Sequence, residues 1–183
     1  HARRGVGLGR ILIPLAALAV IAAYVAIAGG TGLCPTCTSI LDAVTGRLVW
    51  ETQILDYTNN PARQSSGPII ANGKVISGRS CLPGGGPEAC VITAHDAVTG
   101  AELWRRRTIP APGEPGDETW GGVPFEDRKH VGSWMVPSYD PELNLIYIGT
   151  SVTSPAPKFM LGGVDNTHLY HNSTLALDAD TGE

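Results

Sequence analysis

Paired cysteines and paired histidines are the side chains of this sequence whose types and spacing could do chemistry. Cys34 and Cys37 are separated by two residues, a spacing found in redox-active thiol pairs, zinc sites and small disulfides. No second pair with this spacing is present to complete a zinc site, so we expect a passive disulfide or a free thiol pair. His168 and His171 could form a metal pair on a loop, but no third ligand lies near them, and we assign them no role.

The sequence before these cysteines predicts one membrane-spanning helix. Residues 11–33 carry no charge, and about 20 apolar residues are enough to cross the hydrocarbon core of a bilayer. Three arginines precede this run, and no positive charge follows it until Arg47. The positive-inside rule therefore places the N-terminus in the cytoplasm and the rest of the chain outside it. A cleaved signal peptide is the alternative. In both cases the remainder is exported, and we expect it in a bacterial periplasm.

Composition narrows the class of protein. At 183 residues the chain is one ordinary domain at most. Its 16% of charged residues is low against about 25% in an average soluble protein, and both a membrane segment and a β-rich remainder produce such a shortfall. The 23 glycines and 14 prolines favour short strands joined by tight turns. The net charge of −4 gives no sign of a nucleic-acid partner.

One motif recurs three times and indicates the architecture. The sequence Asp-Ala-Val-Thr-Gly occupies 42–46 and 96–100, and each copy is followed by a tryptophan at the same offset, Trp50 and Trp104. A third copy at 178–182 is cut off before its tryptophan. We expect a strand to end before the Asp, a tight turn with the Gly at positive φ, and a next strand that carries the tryptophan. A period of about 40–50 residues with such turns is typical of a β-propeller, and longer gaps are inserted loops.

The segments between the motifs predict further hairpins. Residues 67–78 form two β-rich arms around Asn-Gly, a strong hairpin signal, and residues 134–149 form two arms around the turn Asp-Pro-Glu-Leu-Asn. The proline-rich region 110–129 is typical of a long inserted loop. No long helical period follows residue 33, so the fold class is all-β.

The chain divides into three parts. We predict a cytoplasmic stub and transmembrane anchor over 1–33, a linker with the two-residue cysteine spacing over 34–38, and a partial β-propeller over 39–183. Because the third motif copy is cut at the last residue, we expect an N-terminal fragment of a larger protein. In an oxidising compartment Cys81 and Cys90 are expected to pair, which would stabilise the short loop between them by about 2–3 kcal/mol.

The repeats, together with Ser133-Trp134 and the run 138–147, resemble the dehydrogenases that depend on pyrroloquinoline quinone (PQQ). Residues 107–120 also look like that family's loop after its second motif, and the resemblance covers about 39–183. It implies an eight-bladed propeller, of which this chain holds about three blades, anchored in the inner membrane like the glucose-dehydrogenase-like members. It also implies oxidation of an alcohol or sugar by hydride transfer to the quinone. The electrons would pass to a respiratory acceptor, a quinone or cytochrome c.

The resemblance implies four cofactor contacts. Trp134 falls at the position of the tryptophan that forms the floor beneath the planar quinone. Ser80 and Ser65 fall at positions that hydrogen-bond the quinone carboxylates, and Arg79 is a nearby cation that suits a tricarboxylate. Each has a plain structural alternative, because Trp134 could be a core residue, the serines could satisfy turns and Arg79 could end a strand in solvent.

The resemblance further implies Ca²⁺ on the quinone as a Lewis acid. The family's asparagine ligand falls on Val152, which cannot ligate, and its glutamate falls near Pro83. Thr153 lies in a Val-Thr-Ser-Pro run similar to that of membrane glucose dehydrogenases, where a threonine serves the metal, and Glu88 is the acid near Pro83. We therefore predict Thr153 and Glu88 as metal ligands. The family's catalytic aspartate lies in a later segment beyond residue 183, so no catalytic residue is assigned.

Three functions remain open at this point. Trp134, Ser80 and the Thr153 segment favour the dehydrogenase. The departures at Val152 and Pro83 leave room for a non-catalytic propeller of the same repeat type, such as an outer-membrane assembly scaffold. The third alternative is a membrane thiol module, formed by the linker cysteines, fused to a propeller.

Overall fold

The computed structural model describes the residues 34, 36–64, 67–155 and 157–183. The predicted anchor and the predicted contact Ser65 lie outside the described residues. In the part of the chain that is described, no helix has the length and apolar character needed to span a bilayer.

The described residues form eleven β-strands connected by turns and loops. The strands are β1 (Cys37–Leu41), β2 (Leu48–Gln53), β3 (Ala62–Arg63), β4 (Ile69–Ala71), β5 (Lys74–Ser77), β6 (Ser80–Cys81), β7 (Val91–Asp96), β8 (Glu102–Arg107), β9 (Ser138–Asp140), β10 (Leu145–Gly149) and β11 (Thr174–Asp178). Short 3-10 helical turns lie at Pro83–Gly85, Pro87–Ala89, Asp117–Trp120, Phe125–Asp127 and Lys158–Met160.

The strands are arranged as parts of three propeller blades. Blade 1 is the antiparallel pair β1–β2, blade 2 is the four-stranded sheet β4–β5–β7–β8, and blade 3 is the sheet β9–β10–β11. The two-residue strands β3 and β6 form a separate short ladder. Every pairing is antiparallel, and the predicted all-β, propeller-like architecture is confirmed.

The recurring motif forms the same turn three times. In the first copy the Oδ1 atom of Asp42 accepts the backbone N–H of Thr45 at 2.7 Å and the Thr45 hydroxyl at 2.8 Å. Asp96 and Asp178 make the equivalent bonds in the second and third copies. Hydrogen bonds from Thr45 and Thr99 lower the pKa of Asp42 and Asp96. The aspartate thus supplies the acceptor that closes each turn.

The motif tryptophans join each blade to the next. The indole Nε1 of Trp50 donates to the carbonyl oxygen of Ala97 at 3.1 Å, and Nε1 of Trp104 donates to that of Ala179 at the same distance. The motif glycine of the next blade lies under the ring, since a Cβ on Gly100 would come within 2.7 Å of the Trp50 ring. Only a residue without a side chain fits beneath the docked tryptophan.

The two predicted hairpins are also confirmed. Asn72 and Gly73, with φ values of 46° and 72°, connect β4 to β5, as an Asn-Gly hairpin turn requires. The turn that ends at Asn144, which has a φ of 55°, connects β9 to β10. The region 110–129 contains 3-10 turns and no strand, in agreement with a long inserted loop.

Both cysteine pairs form disulfide bonds. Cys81 pairs with Cys90, as expected for an oxidising compartment, and Cys34 pairs with Cys37. The Cys81–Cys90 bridge is buried in a core cluster beneath the long loops, together with Trp120.

Candidate functional site

Two glycines let blades 2 and 3 approach each other closely at the candidate site. A Cβ on Gly78 would collide with the carbonyl oxygen of Ser133, and a Cβ on Gly132 would lie 3.1 Å from the carbonyl oxygen of Arg79. The backbone N–H of Ser133 donates to this Arg79 oxygen at 2.9 Å. The segment that follows β5 is therefore held directly against the segment that leads into β9.

A third segment, which follows β10, joins Gly132 to complete the junction. The N–H of Ser151 donates to the Gly132 carbonyl oxygen at 2.7 Å, and the N–H of Gly132 donates to the Ser151 hydroxyl at 2.9 Å. The Ser151 hydroxyl donates to the carbonyl oxygen of His130 at 2.8 Å. These bonds tie the backbone at His130 and Gly132, just before Trp134, to Ser151.

Large apolar side chains beside this junction are exposed. Trp134 is 46% exposed and Met135 is 52% exposed, whereas the other three tryptophans of the chain are buried. We call the exposed set the apolar platform, which consists of Trp134, Met135, Val136 and Val152. An exposed aromatic ring on a rigid backbone offers a surface on which a flat ligand can stack.

Ser80 is the predicted carboxylate contact that lies at the junction. It begins β6, is half-buried, and follows Arg79, whose carbonyl oxygen binds Ser133. The Cα atom of Ser80 also lies 3.2 Å from where a Cβ on Gly132 would be. The structure thus places Ser80 against the segment that leads to Trp134.

Arg79 is buried inside the protein, whereas the predicted contact with a quinone carboxylate needs an accessible guanidinium. It is 2% exposed, and its guanidinium donates to the Val91 carbonyl oxygen and to the hydroxyls of Ser77 and Thr93 at 2.9–3.2 Å. Burial, assisted by the nearby Arg105, lowers the pKa of Arg79 to about 9. The side chain crosslinks strands within blade 2, and its direct contact with a cofactor stays a prediction.

The two predicted metal ligands are engaged with protein groups. The Thr153 hydroxyl is buried and donates to the carbonyl oxygen of Pro155 at 3.1 Å. A carboxylate oxygen of Glu88 accepts a hydrogen bond from Nε of Arg107 at 3.1 Å. Within the described ranges no group of three or more His, Cys, Asp or Glu residues could hold a metal ion. Calcium binding at Thr153 and Glu88 stays a prediction.

A buried polar cluster lies on the face of blade 2 that packs against blade 1. His95 is fully buried, 3.7 Å from a carboxylate oxygen of Glu102, and its ring lies 6.4 Å from that of Trp50. Burial is the main cause that lowers the pKa of His95 to about 4. The adjacent Arg105 bonds Glu102 and also donates to the Ile54 carbonyl oxygen of blade 1.

Sequence reasoning missed part of the apolar platform and the whole polar cluster. Met135 and Val136 follow Trp134 directly and precede β9, which begins at Ser138. Two consecutive large apolar residues in a loop, outside any strand alternation, were a usable signal for a binding surface. The polar cluster has no such signal, because it depends on contacts between blades.

Comparisons with known proteins identify the family. Residues 52–183 match the family described as "PQQ: Glucose/ethanol/alcohol dehydrogenase, beta-propeller domain". The chain belongs to this family.

Curated relatives and solved structures agree with this assignment. The chain is 37% identical to the quinohemoprotein alcohol dehydrogenase ADH IIB of Pseudomonas putida over 158 residues, which covers 78% of this chain and 22% of that protein. It superposes on ADHIIG from Pseudomonas putida HK5 with a TM-score of 0.70 and 28% identity, covering 82% of this chain and 23% of the other. The quinohemoprotein alcohol dehydrogenase of Comamonas testosteroni gives a TM-score of 0.65 at 30% identity, covering 81% and 23%. The chain thus spans less than a quarter of these relatives.

Proposed function

We propose that this chain contributes blades to a PQQ-dependent dehydrogenase that oxidises an alcohol or sugar by hydride transfer to the quinone. The half-exposed ring of Trp134, held at the junction between two blades, is the observation that carries the proposal. The names of the relatives, which are quinohemoprotein alcohol dehydrogenases, support the class of reaction.

Trp134 and Ser80 are the residues that we assign to PQQ. A flat indole face can hold a planar tricyclic molecule by stacking, and a serine hydroxyl can donate to one of its carboxylates. The close contacts of Gly78 and Gly132 keep these two residues in a fixed relation, and a rigid support is what a binding site needs. When bound, PQQ supplies the quinone that accepts the hydride.

Calcium enters this proposal only as a prediction from the family. In the structure the Thr153 hydroxyl and one Glu88 carboxylate oxygen are hydrogen-bonded to protein groups, and the Val152 side chain offers no ligand atom. We therefore derive no step through a metal ion.

The catalytic base is not assigned to a residue of this chain. Asp178 closes the third motif turn, and Asp180 accepts hydrogen bonds from Asn72 and Asn144 and forms an ion pair with Lys74. These structural roles agree with the proposal that a different aspartate takes the proton of the substrate alcohol.

The proposed partners are a small alcohol or sugar and a respiratory electron acceptor, a quinone or cytochrome c. The relatives of this chain include an "Alcohol dehydrogenase (quinone), dehydrogenase subunit" and a "Lupanine 17-hydroxylase [cytochrome c]". For this protein we propose an inner-membrane anchor and a propeller in the periplasm. The buried disulfide Cys81–Cys90 supports an oxidising compartment.

The test is dye-linked oxidation of alcohols and sugars by the full-length protein, with and without added PQQ and Ca²⁺. We expect activity that requires PQQ, is lost in Trp134→Ala, and is retained in Leu143→Ala, which removes an exposed apolar side chain that lies outside the apolar platform. Absence of both activity and PQQ binding would contradict the proposal and favour a scaffold.

A further inference from the structure

The two disulfides of the chain differ in their accessibility to other molecules. Cys81 and Cys90 are completely buried in a core cluster with Ile109 and Trp120. Cys34 and Cys37 are only half-buried, at the start of β1. Thiol–disulfide exchange requires a thiolate to reach a sulfur atom. In the folded chain, such an attack is therefore open at Cys34–Cys37 and closed at Cys81–Cys90.

The turn that carries the accessible pair is held by bonds that do not involve the sulfur atoms. The Thr36 hydroxyl donates to the carbonyl oxygen of Leu55 at 2.5 Å, and the N–H of Ile54 donates to the carbonyl oxygen of Thr36 at 3.0 Å. Cys37 itself is paired with Gln53 in the β1–β2 ladder. The N–H of Cys37 also donates to the carbonyl oxygen of Cys34 at 3.4 Å. None of these bonds needs the S–S bond, so we expect the two thiols to stay close enough to form the disulfide again.

We propose that Cys34–Cys37 is a reversible thiol–disulfide exchange site for a dithiol reductant. One thiolate of the reductant attacks Cys34 or Cys37, which breaks their S–S bond, forms a mixed disulfide and releases the other cysteine as a thiolate. The second thiol of the reductant then displaces the attached cysteine. The reductant becomes a disulfide, and two electrons and two protons pass to the chain, which holds two thiols.

The short spacing explains why the reductant must be a dithiol. After a monothiol attacks, the released cysteine lies three residues from the mixed disulfide, and the backbone bond between Cys37 and Cys34 keeps the two residues together. It can expel the monothiol and close the ring again. A dithiol escapes this reversal, because its own second thiol competes from within the same complex.

The experiment uses the full 183-residue chain in detergent and compares dithiothreitol with reduced glutathione at equal thiol concentrations. Free thiols are then blocked with N-ethylmaleimide, and tryptic peptides are quantified by mass spectrometry. Cleavage after arginine separates the two pairs, which fall on peptides 11–47 and 80–105. The buried disulfide is thus an internal control within the same molecule.

We expect peptide 11–47 to be labelled at a dithiothreitol concentration at least about tenfold below that for peptide 80–105, since the buried pair must first open locally. Glutathione should label peptide 11–47 far less than dithiothreitol does. Addition of oxidised glutathione after removal of reductant should restore the unlabelled peptide. Equal labelling of both pairs, equal efficiency of the two reductants, or failure to reoxidise would each overturn the proposal.

A variant separates exchange from loss of structure. Cys34→Ser/Cys37→Ser should keep the β-sheet circular dichroism of the oxidised chain, because the turn contacts remain. If this variant loses the β-sheet signal, the bridge is a structural requirement, and a reversible exchange site is contradicted.

Discussion

The two interfaces between blades use the same tryptophan dock but differ in their other buried side chains. Between blades 2 and 3 the buried side chains are apolar, with Ile76, Ile92, Ala94, Trp104, Ile146, Ile148, Leu175 and Leu177 in one cluster. Between blades 1 and 2 the apolar cluster contains Ile40, Trp50 and Val75. The rest of that face of blade 2 carries His95, Thr93 and Arg79, all buried.

The apolar residues at one interface and the polar residues at the other include side chains of the same strand, β7. Successive side chains of β7 point to opposite faces, so Ile92 and Ala94 pack toward blade 3 while Thr93 and His95 face blade 1. Burial of a polar group costs free energy unless it is hydrogen-bonded. The buried side chains between blades 2 and 3 thus stabilise that interface through apolar area, whereas those between blades 1 and 2 depend on protonation and on hydrogen-bond geometry.

The largest expected difference between the two interfaces is in the free energy of unfolding that is lost when the docked tryptophan is replaced by alanine. Trp104→Ala should lower the free energy of unfolding by about 3–5 kcal/mol, because it opens a cavity in a large apolar cluster. Trp50→Ala should cost less, since its cluster is smaller and has polar neighbours. Urea unfolding followed by circular dichroism measures both values. Equal losses would mean that the two interfaces contribute alike.

Acid should weaken the polar interface selectively. The folded pKa of His95, about 4, lies below its usual value of 6.5, so the unfolded chain binds more protons between these values. Stability is then complete above pH 6.5 and falls as pH drops toward 4, by up to about 3 kcal/mol. The charged groups that face His95 are Glu102, Arg79 and Arg105.

Unfolding at several pH values compares His95→Leu with the unmodified chain. The other titratable groups are the same in the variant and the unmodified chain. The difference between their curves of stability against pH therefore reports on His95 alone. We expect the variant to lose less stability than the unmodified chain between pH 6.5 and 4. Parallel curves would rule out His95 as the cause of acid sensitivity.

A smaller effect is expected from the motif glycines. Gly100→Ala places a Cβ within 2.7 Å of the docked Trp50 ring, whereas Gly46→Ala meets no atom within 4 Å. Both residues have positive φ, 69° at Gly46 and 76° at Gly100, so both variants carry the same backbone strain of about 1–2 kcal/mol. We expect Gly100→Ala to lose about 1–2 kcal/mol more than Gly46→Ala in urea unfolding. Equal losses would show that docking places no steric demand on the turn.

The sequence was informative wherever structure follows from local chemistry. The turn at 42–46 could be predicted, because one aspartate binds the backbone three residues later in all three copies. Arg79 and Glu88 could not be placed in the same way. Their partners, such as Thr93 and Arg107, lie on neighbouring strands, and only the folded sheet shows that these side chains already have acceptors or donors within the protein.

The central claim is that the exposed ring of Trp134 is the stacking surface for PQQ, and calorimetric titration of the chain with PQQ tests it most directly. We predict weak, saturable binding with a dissociation constant above about 1 μM, since the chain spans only 22% of its relative ADH IIB. Trp134→Ala should weaken it about tenfold or more, because a stacked aromatic pair contributes about 0.5–1.5 kcal/mol beyond its buried area. Leu143→Ala, which removes an exposed apolar side chain outside the apolar platform, is the matched control. Equal affinity for PQQ in the Trp134→Ala variant and the unmodified chain would contradict the claim.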